Sequence, residues 1–177
     1  MMAMALAVCL LFDPPGDRLV RLLWARLEAQ GVPTLLTHTH RRHRPHLSLA
    51  VARTWELEEV RRALEPVPFR DALQLWLPGV VSFTRGRASL VAGTDADLAC
   101  RQQSVADAVM ASGADLHRNY IPGRWVPHIS LAVGGTAKQL PVISKVVNDA
   151  QPLTISVSSA ALIDSGSGQT WEIPERR

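Results

Sequence analysis

The chain has 177 residues, 47% of them hydrophobic and 20% charged, enough apolar material for one unit over residues 1–177 with a sizeable core and two lobes. A formal net charge of +3 suits phosphate-bearing partners, but so small an excess does not establish nucleic-acid binding. With only Cys9 and Cys100, neither a disulfide scaffold nor a Cys/His zinc module is indicated, and a reducing, cytoplasmic setting is the expectation.

The opening apolar run lacks a basic leading region and a cleavage site, and about ten residues cannot cross a bilayer, so Ala3 to Phe12 reads as a buried first strand. Asp13-Pro14-Pro15-Gly16 punctuates it, and from Asp17 the period changes: Leu19, Leu22, Leu23 and Leu27 recur at helical spacing up to a stop at Gly31. A basic, histidine-rich loop, Thr37 to His43, leads into a second strand from Pro45 to Ala52. Thr54 is the expected cap of a short helix to Leu64, with Leu57, Val60 and Leu64 inward. Phe69 to Phe83 reads as strand broken at Pro78-Gly79, and a tight turn at Thr84-Arg85-Gly86 precedes a strand from Ala88 to Ala92.

The second half repeats this order. Thr94 and Asp97 frame a helix running to about Met110, on which Leu98, Val105 and Val109 are apolar. A loop with Tyr120, Pro122, Gly123 and Trp125 enters a strand from Val126 to Val133. Thr136 and Gln139 form a capping-box pattern for a helix to Val147, although Pro141 requires that helix to start later or bend. Leu153 to Ile163 and Thr170 to Ile173 close the chain as strands across Ser165-Gly166-Ser167-Gly168. Each half therefore reads strand, helix, strand, helix, strand.

The repeat carries a motif. Pro45-His46-Leu47-Ser48-Leu49-Ala50-Val51 and Pro127-His128-Ile129-Ser130-Leu131-Ala132-Val133 agree at six of seven positions. Alternation along a strand puts His46 and Ser48 on one face, roughly 6–7 Å apart, and Leu47 and Leu49 on the other. His128 and Ser130 repeat the arrangement. The remaining histidines, His38, His40, His43 and His117, have no hydroxyl two positions on. A single strand histidine is usually structural; two in matched repeats, each beside an alcohol, point to function.

Two His-x-Ser elements, one per lobe of a duplicated α+β fold, resemble the signature of the two-histidine (2H) phosphoesterases, which include 2′-5′ RNA ligase-like proteins and RNA cyclic phosphodiesterases. The order of elements is similar over nearly the whole chain, and Ser82 to Arg87 looks like that family's link into its second lobe. The family often has Thr where this chain has Ser. The resemblance implies a bilobal α+β fold with two small antiparallel sheets facing a central groove and helices outside. It makes His46 and His128 the catalytic pair, and Ser48 and Ser130 the phosphate-binding hydroxyls.

Imidazole suits this work because it titrates near pH 6.5, so one neutral and one protonated ring coexist near neutrality. One serves as general base and the other as general acid, each contributing about 10²–10⁴-fold, while hydroxyls hydrogen-bond the charged non-bridging oxygens. The expected activity is metal-independent hydrolysis of a 2′,3′-cyclic phosphate of RNA or a nucleotide, with no cofactor. Hydrolysis of ADP-ribose 1″,2″-cyclic phosphate, 2′-5′ RNA ligation, or a nucleotide-binding module with little turnover are the alternatives. The expected partner is RNA or a nucleotide, with no membrane and no obligate protein partner, for a chain acting as a monomer.

Arg44 shares the face of His46 if the strand extends to it, and Arg124 precedes His128 by four; both are candidate phosphate contacts. Tyr120 and Trp125, like Trp55, lie near the motifs as candidate base-stacking residues, although aromatics there more often anchor loops. The tract His38 to Arg44 reads as a solvated loop ahead of an RNA clamp. As metal ligands, His38, His40 and His43 lack a completing carboxylate or cysteine. Asp95 and Asp97 read as helix-start acids. No Walker loop, dinucleotide glycine motif or nucleophile elbow occurs.

Overall fold

The structure, a computed structural model, describes residues 5–69 and 73–173. Its elements run β1 (Leu6–Phe12), α1 (Pro14–Ala29), β2 (His46–Ala52), α2 (Leu57–Leu64), β3 (Gln74–Trp76), β4 (Gly79–Phe83) and β5 (Arg87–Val91), then α3 (Ala96–Ala111), β6 (His128–Ala132), α4 (Leu140–Asn148), β7 (Thr154–Asp164) and β8 (Thr170–Glu172). Ala3 and Met4 of the expected first strand, and residues 70–72 of the expected strand from Phe69, lie outside the described residues. None of the described helices is long and apolar enough to cross a membrane.

Several boundaries differ from the sequence expectation, for local reasons. Helix α1 begins at Pro14 rather than near Asp17, because Asp13 caps it by accepting from the Gly16 amide at 2.8 Å and the prolines occupy its first turn, where no amide hydrogen is needed. Thr54 is not the cap of α2: Glu56 holds that position, and the Thr54 carbonyl accepts from the Asp115 amide instead. Asp95, rather than Thr94, caps α3 through the Leu98 amide at 2.8 Å. The Thr136–Gln139 capping box does form, but on a single 3₁₀ turn at Ala137–Gln139, and α4 starts after it with Pro141 in its first turn.

The strands form an antiparallel arrangement in the order β3-β7-β1-β2-β6-β5-β4, with β8 on β7, that curls into an open half-barrel. The two lobe sheets join at one pairing, Leu47 with Ile129, between β2 and β6. The lobes are interleaved rather than sequential. Strand β4 of the first half pairs with β5 of the second, and β7 of the second half returns to pair with β1 of the first. The helices also cross over: α3 packs on β2, and α1 packs on α4 and β6.

These exchanges are reciprocal at the level of single bonds. The segment after α1 bridges β6 through Thr34 and Ala132, and the segment after α3 bridges β2 through Leu116 and Ala52. The Trp24 indole N–H donates to the Ser130 carbonyl at 2.9 Å, and the Trp125 indole N–H donates to the Ser48 carbonyl at 3.0 Å. Each half of the chain therefore supplies the backing of the other half's motif strand. Leu47, Leu49, Ile129 and Leu131 are fully buried in the shared core, with Trp24 among the largest side chains there.

Replacing Trp24 with Phe keeps most of the packing but leaves the Ser130 carbonyl without its donor. The expected loss is about 1–3 kcal/mol of unfolding free energy, read as a lower urea midpoint at unchanged slope. A midpoint equal to that of the parent chain would show that this cross-lobe bond contributes nothing.

Candidate active site

The two motif strands share one burial pattern over His-x-Ser-x-Ala: part-exposed, buried, part-exposed, buried, buried. Aliphatic side chains at alternate positions fix the strands to the core, so His46, Ser48, His128 and Ser130 all lie on the other face. Because Leu47 opposes Ile129, the register sets His46 across from Ser130 and Ser48 across from His128. The two imidazoles occupy the diagonal of this square, roughly 7–8 Å apart at the backbone.

Both rings are oriented in the same way. His46 Nδ1 lies 2.6 Å from the Arg44 carbonyl, and His128 Nδ1 lies 2.7 Å from the Val126 carbonyl, in each case two residues back. A carbonyl oxygen only accepts, so Nδ1 carries the hydrogen in both rings. The neutral ring is thereby left with its lone pair on Nε2, which is the nitrogen available to accept or deliver a proton. Burial lowers the pKa of both histidines. For His46 the Arg44 carbonyl opposes this, and the charges of His128 and Arg44 add to it. For His128 the Val126 carbonyl opposes it and Arg87 adds to it.

The hydroxyls have their own supports. Ser48 lies 3.6 Å from the buried Cys9 thiol, whose pKa burial pushes up to about 12, so the sulfur stays a neutral neighbour. The Tyr120 hydroxyl is close to Ser48, which favours its ionised form, but burial dominates and raises its pKa to about 12. Tyr120 is thus brought to the site, at a serine. Trp125 has its indole N–H committed to the backbone beneath Ser48, an anchoring position. Arg44 is exposed and borders the cavity beside His46. Arg124 is exposed in its loop, where its amide closes a turn on the Ile121 carbonyl, and the guanidinium that acts on His128 belongs to Arg87.

Two neighbours of the site escaped the sequence reading. The Phe83 ring packs at 4.9 Å from His128, and Arg87 pairs with Phe83 across the β4–β5 turn. Both belong to the Ser82–Arg87 stretch noted above, but only the strand pairing turns them toward His128. The histidine-rich loop is exposed over most of its length, as expected of a solvated segment, but it is also pinned in place. His40 and His43 pack at 4.1 Å between ring centroids, His40 sits against Gly168, and Arg42 donates to the Ser167 carbonyl at 3.1 Å. The loop is therefore folded onto the β7–β8 turn beside His46. Among the described residues, no three of His, Cys, Asp and Glu come together as a metal ion would need.

A family model for the 2′-5′ RNA ligase superfamily matches residues 15–169. The chain belongs to this superfamily of two-histidine phosphoesterases. Solved structures agree in fold: a phosphoesterase at 18% identity and a TM-score of 0.61, covering 98% of this chain and 96% of that one. E. coli LigT complexed with NADP+ is similar at 15% identity and a TM-score of 0.62 over 98% and 96% of the two chains. Kluyveromyces marxianus Usb1 is similar at 14% identity and 0.54 over 96% and 98%. No curated protein matches the chain. Membership of the superfamily supports an enzyme of the phosphodiesterase or ligase type.

The lowered pKa values have a consequence for stability. A histidine whose folded pKa lies below its unfolded value of roughly 6.5 lets the unfolded chain take up protons first, so stability is full above that pH and declines below it. Between pH 7.5 and 5.5 the urea midpoint is expected to fall, and to fall less in the double variant His46→Asn/His128→Asn, where His43 and His117 supply the remainder. Equal declines in the two proteins would mean that neither ring is held in its neutral form by folding.

Proposed function

We propose that the chain is a metal-independent phosphodiesterase that opens a 2′,3′-cyclic phosphate at an RNA end or on a nucleotide, with His46 and His128 as its acid–base pair. The observation that carries this reading is the matched pair of Nδ1–H···O=C bonds, which leaves both rings the same free nitrogen on one face of adjacent strands. In the reaction, Nε2 of one neutral imidazole takes a proton from water as its oxygen attacks phosphorus. Nε2–H of the other, protonated imidazole gives its proton to the ribose oxygen as the P–O bond breaks, yielding a phosphomonoester. Ser48 and Ser130 donate to the non-bridging oxygens, where charge concentrates. Ligation to a 2′-5′ linkage is the same ring opening with the 5′-hydroxyl of a second RNA end attacking phosphorus in place of water, the 3′-oxygen leaving with the proton.

Lowered pKa values bear on the pH optimum. The active form needs one ring neutral and one protonated, so the rate falls as both rings protonate and again as both lose their protons. Both limbs of the resulting bell are displaced toward acid compared with two unperturbed imidazoles.

The deciding assay is turnover of a panel of 2′,3′-cyclic nucleotides, with and without EDTA. Turnover should survive the chelator, and His46→Ala and His128→Ala should each lower kcat by about 10²–10⁴-fold without lowering the urea midpoint. Loss of turnover with EDTA, or a rate independent of pH between 5 and 8, would overturn the mechanism. Tight nucleotide binding with no product from any member of the panel would make the chain a binding module.

A further inference from the structure

The internal repeat extends beyond the motif strands to their outer neighbours, where sequence likeness disappears. In the first lobe Leu10 pairs with Leu47 and Cys9 with Ser48, the register slips between Val8 and Cys9, and Val8 then pairs with Ala50. In the second lobe Leu90 pairs with Ile129 and Ser89 with Ser130, the register slips between Ala88 and Ser89, and Ala88 then pairs with Ala132. The bulge is duplicated, and it equates Val8 with Ala88 and therefore Ala7 with Arg87. One strand further out, Ala7 pairs with Ile163 and Arg87 pairs with Phe83. Ile163 and Phe83 are thus counterparts too.

The symmetry of the site breaks at these two positions. Beside His128 the second lobe has an aromatic ring and a guanidinium. Beside His46 the first lobe has Ala7 and Ile163, and there the space is open: a cavity of about 190 Å³ lined by Ala7, Leu35, His43, Ile163 and Thr170 together with His46 and Ser130. This is below the roughly 300–1,000 Å³ of pockets that enclose a drug-sized ligand, so it has room for one ring system and little more. Aliphatic groups and imidazoles make up much of its lining, the Thr170 and Ser165 hydroxyls can hydrogen-bond a heterocycle's edge, and Arg42, Arg44 and Asp164 also border it. Burial, with lesser contributions from His40, His38 and His46, lowers His43 to about 4, so that wall stays uncharged at neutral pH.

We propose that this cavity holds the nucleobase of the substrate, so that the nucleoside lies on the His46 side of the phosphate and the Arg87 side faces the phosphate alone. The proposal rests on the reading that the phosphate binds between His46 and His128. An anion subsite is the weaker fit: of the charged groups that line the cavity, Arg44 is exposed, Arg42 gives an N–H to the Ser167 carbonyl, and the buried Asp164 carboxylate would repel an anion.

The test is equilibrium binding of adenosine 3′-monophosphate, uridine 3′-monophosphate and inorganic phosphate to the full chain by calorimetry. The nucleotides should bind at least about tenfold tighter than phosphate, about 1.4 kcal/mol. Thr170→Trp, which projects a ring into the cavity, should bring that ratio close to one while phosphate binding, which also reports a folded site, is retained. Ser165→Trp, at an exposed turn position, provides the same filling if the first variant does not fold. Arg87→Ala should weaken nucleotides and phosphate alike and preserve the ratio. Nucleotides no tighter than phosphate in the parent chain, no measurable binding of either, or a ratio that survives in filled variants that still bind phosphate would each overturn the assignment. Because the readout is binding, a chain that holds nucleotides through this cavity but turns over no cyclic substrate would sink the hydrolytic reading and leave this one standing.

Discussion

The pairing of Leu47 with Ile129 is the constraint on which the rest of the molecule depends. It joins the two lobe sheets, and alternation along each strand then decides where every nearby side chain goes. With Leu47, Leu49, Ile129 and Leu131 committed to the core, the intervening histidines and serines have no choice of face. A slip of one residue in either strand would bury an imidazole and a hydroxyl and expose two large aliphatic groups. Burying a leucine or isoleucine side chain is worth about 1.5–3 kcal/mol, so the two in each strand outweigh any preference of its polar groups for another register. The hydrophobic core thus sets the geometry of the polar face.

What holds that pairing is the crossing of the chain between lobes. Each motif strand has its backbone carbonyl at the serine capped by an indole from another part of the chain, and its far end bridged by the segment that follows the other half's first helix. Neither half builds a complete lobe alone, since β4 and β7 are exchanged. The arrangement makes relative movement of the two motifs costly, because sliding one lobe past the other breaks buried hydrogen bonds on both sides at once. For two groups proposed to exchange protons with a single phosphate, a fixed separation matters more than the strength of any one contact.

The elements and the motif face were legible in the sequence because both are written in period: two for the strands, about 3.6 for the helices, and a seven-residue repeat between the halves. Exact helix starts were less legible. Asp13, Glu56 and Asp95 take cap positions according to how the preceding strand or loop delivers the chain, which local pattern does not encode. The interleaving of lobes was invisible for a related reason, since an exchanged strand has the same alternation as one that stays at home. Arg87 and Phe83 were hidden because their counterparts, Ala7 and Ile163, share no chemistry with them; only the duplicated bulge and the strand register align them. The histidine-rich loop has the composition of a solvated segment, and its packing depends on Gly168, where an added Cβ would come within 2.6 Å of the His40 ring.

That hidden asymmetry has a chemical logic. Duplication provides two equivalent imidazoles, but opening a cyclic phosphate is not a symmetric event: one oxygen arrives from water and another departs with a ribose attached. A site with two equal ends would bind such a substrate in two orientations and offer each histidine both tasks. Divergence at just the positions next to the histidines is the economical remedy, because the strands, the bulges and the Nδ1 hydrogen bonds that orient the rings are left untouched. Arg87 and Phe83 close one end with charge and bulk, whereas Ala7 and Ile163 leave the other open. Under the proposed function, substrate orientation, and with it the division of labour between His46 and His128, would follow from which end admits a base rather than from any difference between the two motifs themselves.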